Sequence, residues 1–243
     1  MNAFSLTGKT LLITGASSGL GRQTAISASE AGATLILTGR NEARLRETFD
    51  KLSGEGHAMV VADLTVDAQL QSLVDCIGVL NGVFFSSGVS TLVPTGFITA
   101  EKLRIDLAVN YEAPVLLTSA LLRKKILQQQ DCSLLYMSTV STVYPFVGGA
   151  MYIGARAALE GYARVLALEL APKGIRVNCL RSGFVRTPML DKTAQLSKEA
   201  VEKIEKQQPL GIGDPVDVAL TAVFYFSGAS KWITGTNLIL GGG

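Results

Sequence analysis

The sequence has little of the side chains that bind transition metals. It contains one histidine, His57, and three cysteines, Cys76, Cys132 and Cys179, which lie far apart in the chain. A structural metal site needs about four such ligands at short spacings, so we predict no metal site. Free cysteines are usually small buried hydrophobic residues, and their scarcity is typical of a protein of the reducing cytoplasm.

Charge is sparse as well. Asp, Glu, Lys and Arg make up 17% of the 243 residues, and 22 basic against 20 acidic residues give a net charge of +2. No run of basic residues provides the positive surface that nucleic acid or an anionic membrane requires. No uninterrupted apolar run reaches the roughly 18 residues of a membrane span. A predicted strand begins at Thr10, which leaves no room for a signal peptide. We therefore expect a cytoplasmic protein without nucleic-acid or membrane partners.

Apolar residues, in contrast, are abundant, at 48% of the chain. Short aliphatic or β-branched runs recur, and they are continuously apolar rather than alternating, which is typical of parallel strands covered on both faces. The predicted strands are Thr10–Thr14, Thr34–Thr38, Ala58–Val61, Gly82–Ser86, Ser133–Ser138, Arg176–Leu180 and Asn237–Leu240. The sequence predicts an α/β, doubly wound Rossmann-type fold with a mostly parallel seven-stranded sheet and helices on both faces.

Segments of helical spacing separate these runs. The predicted helices are Gly19–Ala31, Glu42–Leu52, Val66–Ile77, Glu101–Asn110, Pro114–Gln129, Tyr152–Ala171 and Pro215–Phe226. No linker or repeat interrupts the alternation, so we expect residues 1–243 to form a single domain. Residues 188–209 are polar and rich in charge. They predict a helical lid over a substrate or, equally, an ordinary solvated surface helix.

A glycine-rich segment, Thr14-Gly15-Ala16-Ser17-Ser18-Gly19-Leu20-Gly21, follows the first predicted strand and opens the first helix. Glycines there allow a tight turn and a close approach of a pyrophosphate, whose negative charge the helix N-terminus favours. We predict a dinucleotide-binding domain rather than a plain glycine turn. The predicted contacts are Gly15, Ser17, Ser18, Gly19, Leu20 and Gly21.

The end of the second strand reads Thr38-Gly39-Arg40-Asn41. An NAD-binding protein usually places an acidic residue near here to hold the ribose hydroxyls. A guanidinium group instead suits a 2′-phosphate, which it can grip with two charge-assisted hydrogen bonds. We favour NADP(H), with NAD(H) as the alternative cofactor. The structural alternative is that Arg40 only solvates the strand end.

Together with motifs further along, these residues resemble the short-chain dehydrogenase/reductase family in its compact single-domain form. The resemblance covers essentially the whole chain. Its markers are the TGxxxGxG pattern at 14–21, Asp63-Leu64, Asn110, Tyr152 four residues before a basic residue, Asn178 to Thr187, and Ile233-Thr234-Gly235. It implies an NADP(H)-dependent oxidoreductase that interconverts an alcohol and a carbonyl by hydride transfer.

The resemblance also implies four catalytic residues. Tyr152 would be the general acid/base, and Asn110 would hold a water in the proton relay, although an asparagine at a helix end can equally be a cap. Thr139 stands where the family has the serine that orients the substrate oxygen, with Ser138 beside it as the alternative. Both residues carry a hydroxyl, so hydrogen bonding to that oxygen is kept in either case.

Arg156 stands where the family has lysine, one helical turn after Tyr152. A free tyrosine ionises near about pH 10, so a nearby fixed cation is needed to favour its phenolate. Arginine supplies the charge and can reach a ribose diol. It cannot readily give up a proton, so a relay through a lysine amine would be impaired.

Further cofactor contacts follow from the same resemblance: Asp63, Leu64, Ser87, Gly88, Asn110, Tyr152, Arg156, Val185 and Thr187. Two loops depart from the family pattern. Ser86-Ser87-Gly88 replaces Asn-Ala-Gly, and Arg181-Ser182-Gly183 lacks the proline that usually precedes the glycine. We expect these loops to be looser and cofactor binding to be weaker.

Two functions from different classes are carried forward. The first is the oxidoreductase, acting on a small-molecule carbonyl or alcohol and assembling as a homotetramer or homodimer through the long fifth and sixth helices. The second is a cofactor-binding protein of the same fold with little or no turnover, acting as a sensor or assembly subunit. Segments expected to line a substrate pocket are Ser90 to Val93, Phe146 to Met151 and Met189 to Leu196.

Overall fold

The computed structural model describes residues 3–193 and 208–242, without the side chains of 191–193. Its described strands form one parallel sheet of order β3-β2-β1-β4-β5-β6-β7. They are β1 (Thr10–Thr14), β2 (Thr34–Gly39), β3 (Ala58–Val61), β4 (Gly82–Phe85), β5 (Cys132–Thr139), β6 (Ile175–Ser182) and β7 (Asn237–Leu240). The predicted doubly wound α/β fold is confirmed. The strand order reverses between β1 and β4, where such sheets bind ligands outside the carboxyl ends of the strands.

Helices cover both faces of this sheet. They are α1 (Gly19–Glu30), α2 (Glu42–Phe49), α3 (Asp67–Cys76), α4 (Ala100–Leu107), α5 (Ala113–Lys124), α6 (Ala150–Leu170), α7 (Pro188–Thr193) and α8 (Pro215–Phe226). One core lies between the sheet and α3, α5 and α6, and a second lies under α1, α2 and α8. Neighbouring strand residues alternate between the two cores, as Leu12 and Ile13 do.

Helices α4 and α5 are joined by a π-helical segment, Ala108–Glu112, into one helical stretch from Ala100 to Lys124. The prediction that the fourth helix ends at Asn110 was therefore wrong. Pro114 lacks an N–H and cannot pair with the carbonyl of residue 110, and the wider π turn accommodates this without ending the helix. By length and composition alone the stretch could cross a membrane, although polar and charged residues interrupt it and it is no continuous apolar run. It serves here as a core helix, because Leu117 and Leu121 are completely buried.

Element ends account for most other differences from prediction. Strand β6 was expected to end at Leu180 but continues to Ser182, because Arg181 and Ser182 pair with the last residues of β5. Helix α5 ends at Lys124 rather than Gln129, since Lys125 adopts a left-handed conformation at φ +56°. Of the predicted lid at 188–209, the first six residues form α7, while 194–207 lie outside the described residues.

Candidate active site

The glycine-rich loop leaves β1 at the strand-order reversal. Gly15 and Gly19 have φ values of +63° and +54°, which favour glycine. A Cβ on Gly21 would lie 2.5 Å from the carbonyl oxygen of Gly15, so a side chain there would collide with backbone. Ser18 precedes α1 in an extended conformation. The loop therefore keeps the close backbone approach and free helix N-terminus that a pyrophosphate needs.

Serine residues tie the end of β4 to this loop. The Ser86 hydroxyl donates to the carbonyl of Thr14 at 2.6 Å, and the Thr14 hydroxyl accepts from the Ser86 and Ser87 amides at 3.1 and 3.3 Å. These bonds join β1 and β4 directly. The loop that replaces Asn-Ala-Gly is thus held by three hydrogen bonds, which argues against the expected looseness.

The expected nucleoside-side residues surround a small cavity at the carboxyl ends of β1 and β4. Its volume is about 10 Å³, room for roughly one water molecule. The lining residues are Thr14, Leu64, Phe85, Ser87, Ala113 and Pro114. Leu64 and Ser87 therefore face one space although they are 23 residues apart (87 minus 64).

Arg40 follows β2 and extends into solvent, with 62% of its side chain exposed. Its Nη1 lies 3.6 Å from Oδ2 of Asp63, which follows β3. Burial acts to raise the pKa of Asp63, but hydrogen bonds from Thr65 and the charge of Arg40 outweigh it and hold the pKa below its usual value. An exposed pair of this kind is weak, so Arg40 is free to turn towards a phosphate.

Val185 and Thr187 bring the segment after β6 over the glycine loop. Val185 is buried and forms an isolated bridge with Gly213. A Cβ on Gly19 would lie 3.5 Å from the side chain of Thr187. The structure thus places Thr187 beside the first residue of α1, where a phosphate group would approach.

Arg156 is almost completely buried, at 3% exposure. Its Nη1 donates to the carbonyl of Met137 at 2.9 Å and its Nη2 to the carbonyl of Ser87 at 3.3 Å. Each terminal nitrogen keeps one further hydrogen, and Nε has no hydrogen-bond partner in the described part of the chain. Among the side chains of residues 3–190 and 208–242, no carboxylate lies within 4 Å of this guanidinium. The guanidinium group that was expected to reach a ribose is thus partly occupied by hydrogen bonds to the protein's own backbone.

Gly88 makes room for this arginine. A Cβ on Gly88 would collide with Nη2 of Arg156 and would lie 3.2 Å from Oδ1 of Asn110. The guanidinium carbon also lies 5.4 Å from the ring centroid of Tyr152, within cation–π range. The half-buried Tyr152 ring therefore stands beside a fixed positive charge.

The two hydroxyl candidates at the end of β5 have different partners. Ser138 is buried and donates to Oε1 of Glu160 at 2.5 Å. Thr139 donates to the Ser141 hydroxyl at 3.1 Å and accepts from the Ser141 amide at 3.2 Å. Neighbouring strand residues point to opposite faces, so the Ser138 hydroxyl is tied to α6, whereas the Thr139 hydroxyl bonds to the segment that directly follows β5.

Asn110 is fully buried within the π-helical segment and caps no helix end. Its Oδ1 accepts from the Val89 amide at 3.1 Å, and its Nδ2 donates to the Val89 carbonyl at 2.9 Å. Nδ2 also donates to Oδ1 of Asp106 at 2.8 Å. Both amide hydrogens are thereby used, and the loop after β4 is fixed against α4.

Sequence reasoning missed an ion pair beside the site, between the buried Glu160 and the half-buried Arg181. Arg181 of β6 binds Glu160 of α6 through two hydrogen bonds of 2.8 and 2.6 Å. Burial acts to raise the pKa of Glu160, but hydrogen bonds from Arg181, Ser138 and Thr142 outweigh it and lower the pKa. A weak signal in the sequence is that Glu160 lies four residues after Arg156 on a mostly apolar helix.

Comparison with known proteins agrees with this geometry. A family model described as enoyl-(acyl carrier protein) reductase matches residues 15–243. The human protein named (3R)-3-hydroxyacyl-CoA dehydrogenase is 30% identical over 96% of this chain and 94% of its own length. The Rickettsia prowazekii protein named 3-oxoacyl-[acyl-carrier-protein] reductase FabG is 30% identical over 98% of this chain and 97% of its own. A Mycobacterium marinum structure described as a short-chain type dehydrogenase/reductase superposes with TM-score 0.89 at 25% identity, covering 100% and 97% of the two chains.

The fold and the glycine-rich loop place the chain in the class of Rossmann-type proteins. The chain belongs to the short-chain dehydrogenase/reductase family. Members of this family generally use NAD(P)(H) and act on small molecules. The similarity to named dehydrogenases and reductases favours a short-chain oxidoreductase over a sensor without turnover.

Proposed function

We propose that the chain reduces a carbonyl, or oxidises the corresponding alcohol, with NADP(H) and with Tyr152 as the general acid/base. The observation that carries this is the position of Arg156, a buried permanent cation 5.4 Å from the Tyr152 ring. A fixed cation beside the ring stabilises the negative charge that develops on a phenol oxygen while its proton is being transferred.

Thr139 orients the substrate oxygen in this proposal. Ser141 positions the Thr139 hydroxyl, and Ser138 is held by Glu160. The nicotinamide, when bound, supplies or accepts the hydride. Tyr152 then gives its proton to the carbonyl oxygen in reduction, or takes the proton of the hydroxyl in oxidation.

Asn110 holds the relay water through its backbone in this account. The donors of its side-chain amide are already used by Val89 and Asp106. Pro114 cannot donate to the Asn110 carbonyl, so that oxygen lacks the partner it would have in a regular helix. We assign the water to this carbonyl oxygen.

Residues from the carboxyl ends of five strands would hold the cofactor. The glycine loop, Ser87, Gly88, Val185 and Thr187 would contact the phosphates and riboses, and Leu64 would lie beside the nucleoside. Arg40 would bind the 2′-phosphate, because the side chain is exposed and its pairing with Asp63 is weak. Asp63 would then contact the adjacent ribose or adenine.

Arg40→Asp tests the cofactor preference. It removes the phosphate grip and adds a carboxylate, so the ratio of NADPH to NADH affinity should fall by about a hundredfold, from two lost charge-assisted hydrogen bonds. Fluorescence titration measures both affinities. Arg123→Asp, at an exposed position on α5, is the matched control and should leave the ratio unchanged. An unchanged ratio in Arg40→Asp contradicts the assignment.

A turnover assay tests the reaction itself. NADPH oxidation is followed with simple ketones and with 3-oxoacyl thioesters, since one relative is named for a 3-oxoacyl substrate and another for a 3-hydroxyacyl-CoA. Tyr152→Phe should lower turnover by about 10²- to 10⁴-fold while NADPH binding persists. Binding without oxidation by any substrate, in the wild type and in Arg156→Lys, would instead support the cofactor-binding protein without turnover.

An open cavity of about 530 Å³ lies beside the proposed site. It is lined by Pro94, Thr95, Pro145, Phe146, Val147, Gly148, Ala150, Ile153 and Gly154. Ala150, Ile153 and Gly154 share one face of α6, and Tyr152 lies on the opposite face, since successive residues are about 100° apart. We therefore assign the reacting carbonyl to the Tyr152 side and not to this cavity.

Residues 188–209 are proposed as the lid of this single-domain enzyme.

We also propose a homotetramer or homodimer that uses α5 and α6. Leu116, Val165 and Leu168 on these helices are exposed, Leu168 to 79%. Sedimentation velocity should give a dimer or tetramer for the wild type and a smaller species for Leu168→Glu. Val147→Glu, at an equally exposed apolar position elsewhere, should not change the mass. A monomeric wild type contradicts the proposal.

A further inference from the structure

Asp106 is a buried carboxyl group that the proposed reaction leaves without a role. It lies in the last turn of α4 and is completely buried. Its Oδ1 accepts the hydrogen bond from Asn110, while Oδ2 has no hydrogen-bond partner among the described residues. A buried carboxylate oxygen without a partner is costly unless a nearby charge compensates, so its presence here calls for an explanation.

Arg156 supplies a positive charge on the neighbouring helix. It lies on α6, which packs against α4, and its guanidinium is outside ion-pair distance of the Asp106 carboxyl. A Cβ on Gly88 would lie close to atoms of both Asn110 and Arg156, so the two side chains border the same space. Burial raises the pKa of the Asp106 carboxyl, and Asn110, the backbone amide of Thr91 and the charge of Arg156 act in the opposite direction. Asp106, Asn110 and Arg156 therefore form one buried unit across three segments of the fold.

The chemistry of arginine explains why such a unit needs an acid. A buried lysine can relieve an unfavourable site by losing its proton, whereas arginine stays charged in proteins. Arg156 has only backbone carbonyls as hydrogen-bond acceptors in the described structure. A carboxylate nearby lowers the free energy of that permanent charge.

We propose that Asp106 is a positioning residue for proton transfer, whose carboxylate fixes the amide of Asn110 and balances the charge of Arg156. The catalytic consequence rests on the proposed function. Removing the carboxylate charge leaves Arg156 unbalanced, and removing both oxygens also frees the Asn110 amide. The relay water and the cation beside Tyr152 then lose their fixed positions.

A thermodynamic cycle tests the pairing without requiring turnover. Asp106→Asn is made in the wild type and in Arg156→Met, and melting temperatures are measured. Asp106→Asn should lower the melting temperature by about 5 °C in the wild-type background, where Arg156 is present. In the Arg156→Met background it should lower it by less than about 2 °C. Equal losses in the two backgrounds overturn the proposal. Glu101→Gln, an exposed carboxylate on the same helix, is the matched control and should show no coupling to Arg156.

Steady-state kinetics test the positioning role. Asp106→Asn and Asp106→Leu should lower kcat about ten- to a hundredfold, the leucine variant more, with KM for NADPH and for the carbonyl within about twofold of wild type. The pH dependence of kcat should also shift in Asp106→Asn, and Glu101→Gln should leave it in place. The cycle could show coupling while kcat and the pH profile of the Asp106 variants match the wild type. Asp106 would then have only a structural role, and the proposal would be overturned. A protein that binds NADPH but reduces no carbonyl contradicts the proposed function alone, and the cycle then decides the pairing.

Discussion

The nucleotide end of the site, around the glycine-rich loop, and the chemistry end, around Tyr152 and Arg156, are built from different groups. At the nucleotide end the structure depends mainly on backbone, through the turn at Gly15 and the close packing at Gly21. At the chemistry end, buried charged side chains make the contacts, with Arg156 on two carbonyls and Glu160 on Arg181. Thr139 and Arg156, two of the residues that depart from the family pattern, lie at the second end. The difference teaches that the first end depends on backbone conformation, whereas the second depends on a partner for each buried charged group.

The largest expected effect is on stability at the chemistry end. Glu160→Gln removes the charge that the half-buried Arg181 pairs with. Because Glu160 itself is buried, the loss should cost about 3 kcal/mol of unfolding free energy at neutral pH, the lower end of the range for buried pairs. Because the pKa of Glu160 lies below its usual value, the wild-type advantage is complete above the unfolded pKa of 4.5. It is lost as the pH falls through the lower folded value.

Urea unfolding of both proteins from neutral to acidic pH measures this difference. Glu169→Gln, an exposed position on the same helix, is the control and should change stability little at any pH. If the difference in unfolding free energy between the wild type and Glu160→Gln stays constant down to acidic pH, the account of the ion pair is contradicted.

The next effect is on cofactor binding at the nucleotide end. Gly21→Ala would place a methyl group 2.5 Å from the Gly15 carbonyl and from the Ser86 hydroxyl. The loop must move, and NADPH affinity should fall about a hundredfold, equivalent to roughly 2.7 kcal/mol. Fluorescence titration measures this, with Gly96→Ala as the control, because a Cβ on Gly96 meets nothing within 4 Å. An unchanged NADPH affinity in Gly21→Ala would show that the backbone of the glycine-rich loop does not bind the cofactor.

The smallest expected effect is on stability at Gly88, which lies between the two ends. Gly88→Ala pushes against the Arg156 guanidinium, so it should lower the melting temperature by about 2–4 °C, or roughly 1 kcal/mol. In the Arg156→Lys background the slimmer side chain should make the same change nearly neutral. Equal shifts in both backgrounds would mean that Gly88 serves a purpose other than making room for arginine.

This contrast also explains what the sequence could predict. Strand positions and the glycine loop depend on local pattern and backbone conformation, and both were found where predicted. Asn110 was placed at a helix end because Pro114 resembles a helix start, and only the π-helical segment keeps the helix continuous. Spacing already favoured Thr139 over Ser138, but the bond that ties Ser138 to Glu160 spans 22 residues and follows from no local pattern. Asp106 and Glu160 look like ordinary helix-surface acids until tertiary packing buries them.

The central claim is that Arg156 supplies the fixed charge beside Tyr152. The most direct measurement compares turnover with NADPH in Arg156→Lys and Arg156→Met, with NADPH binding measured for both variants. The lysine variant should keep turnover at or above the wild-type rate, and the methionine variant should lose about a hundredfold or more while still binding NADPH. A methionine variant as active as the wild type would contradict the account.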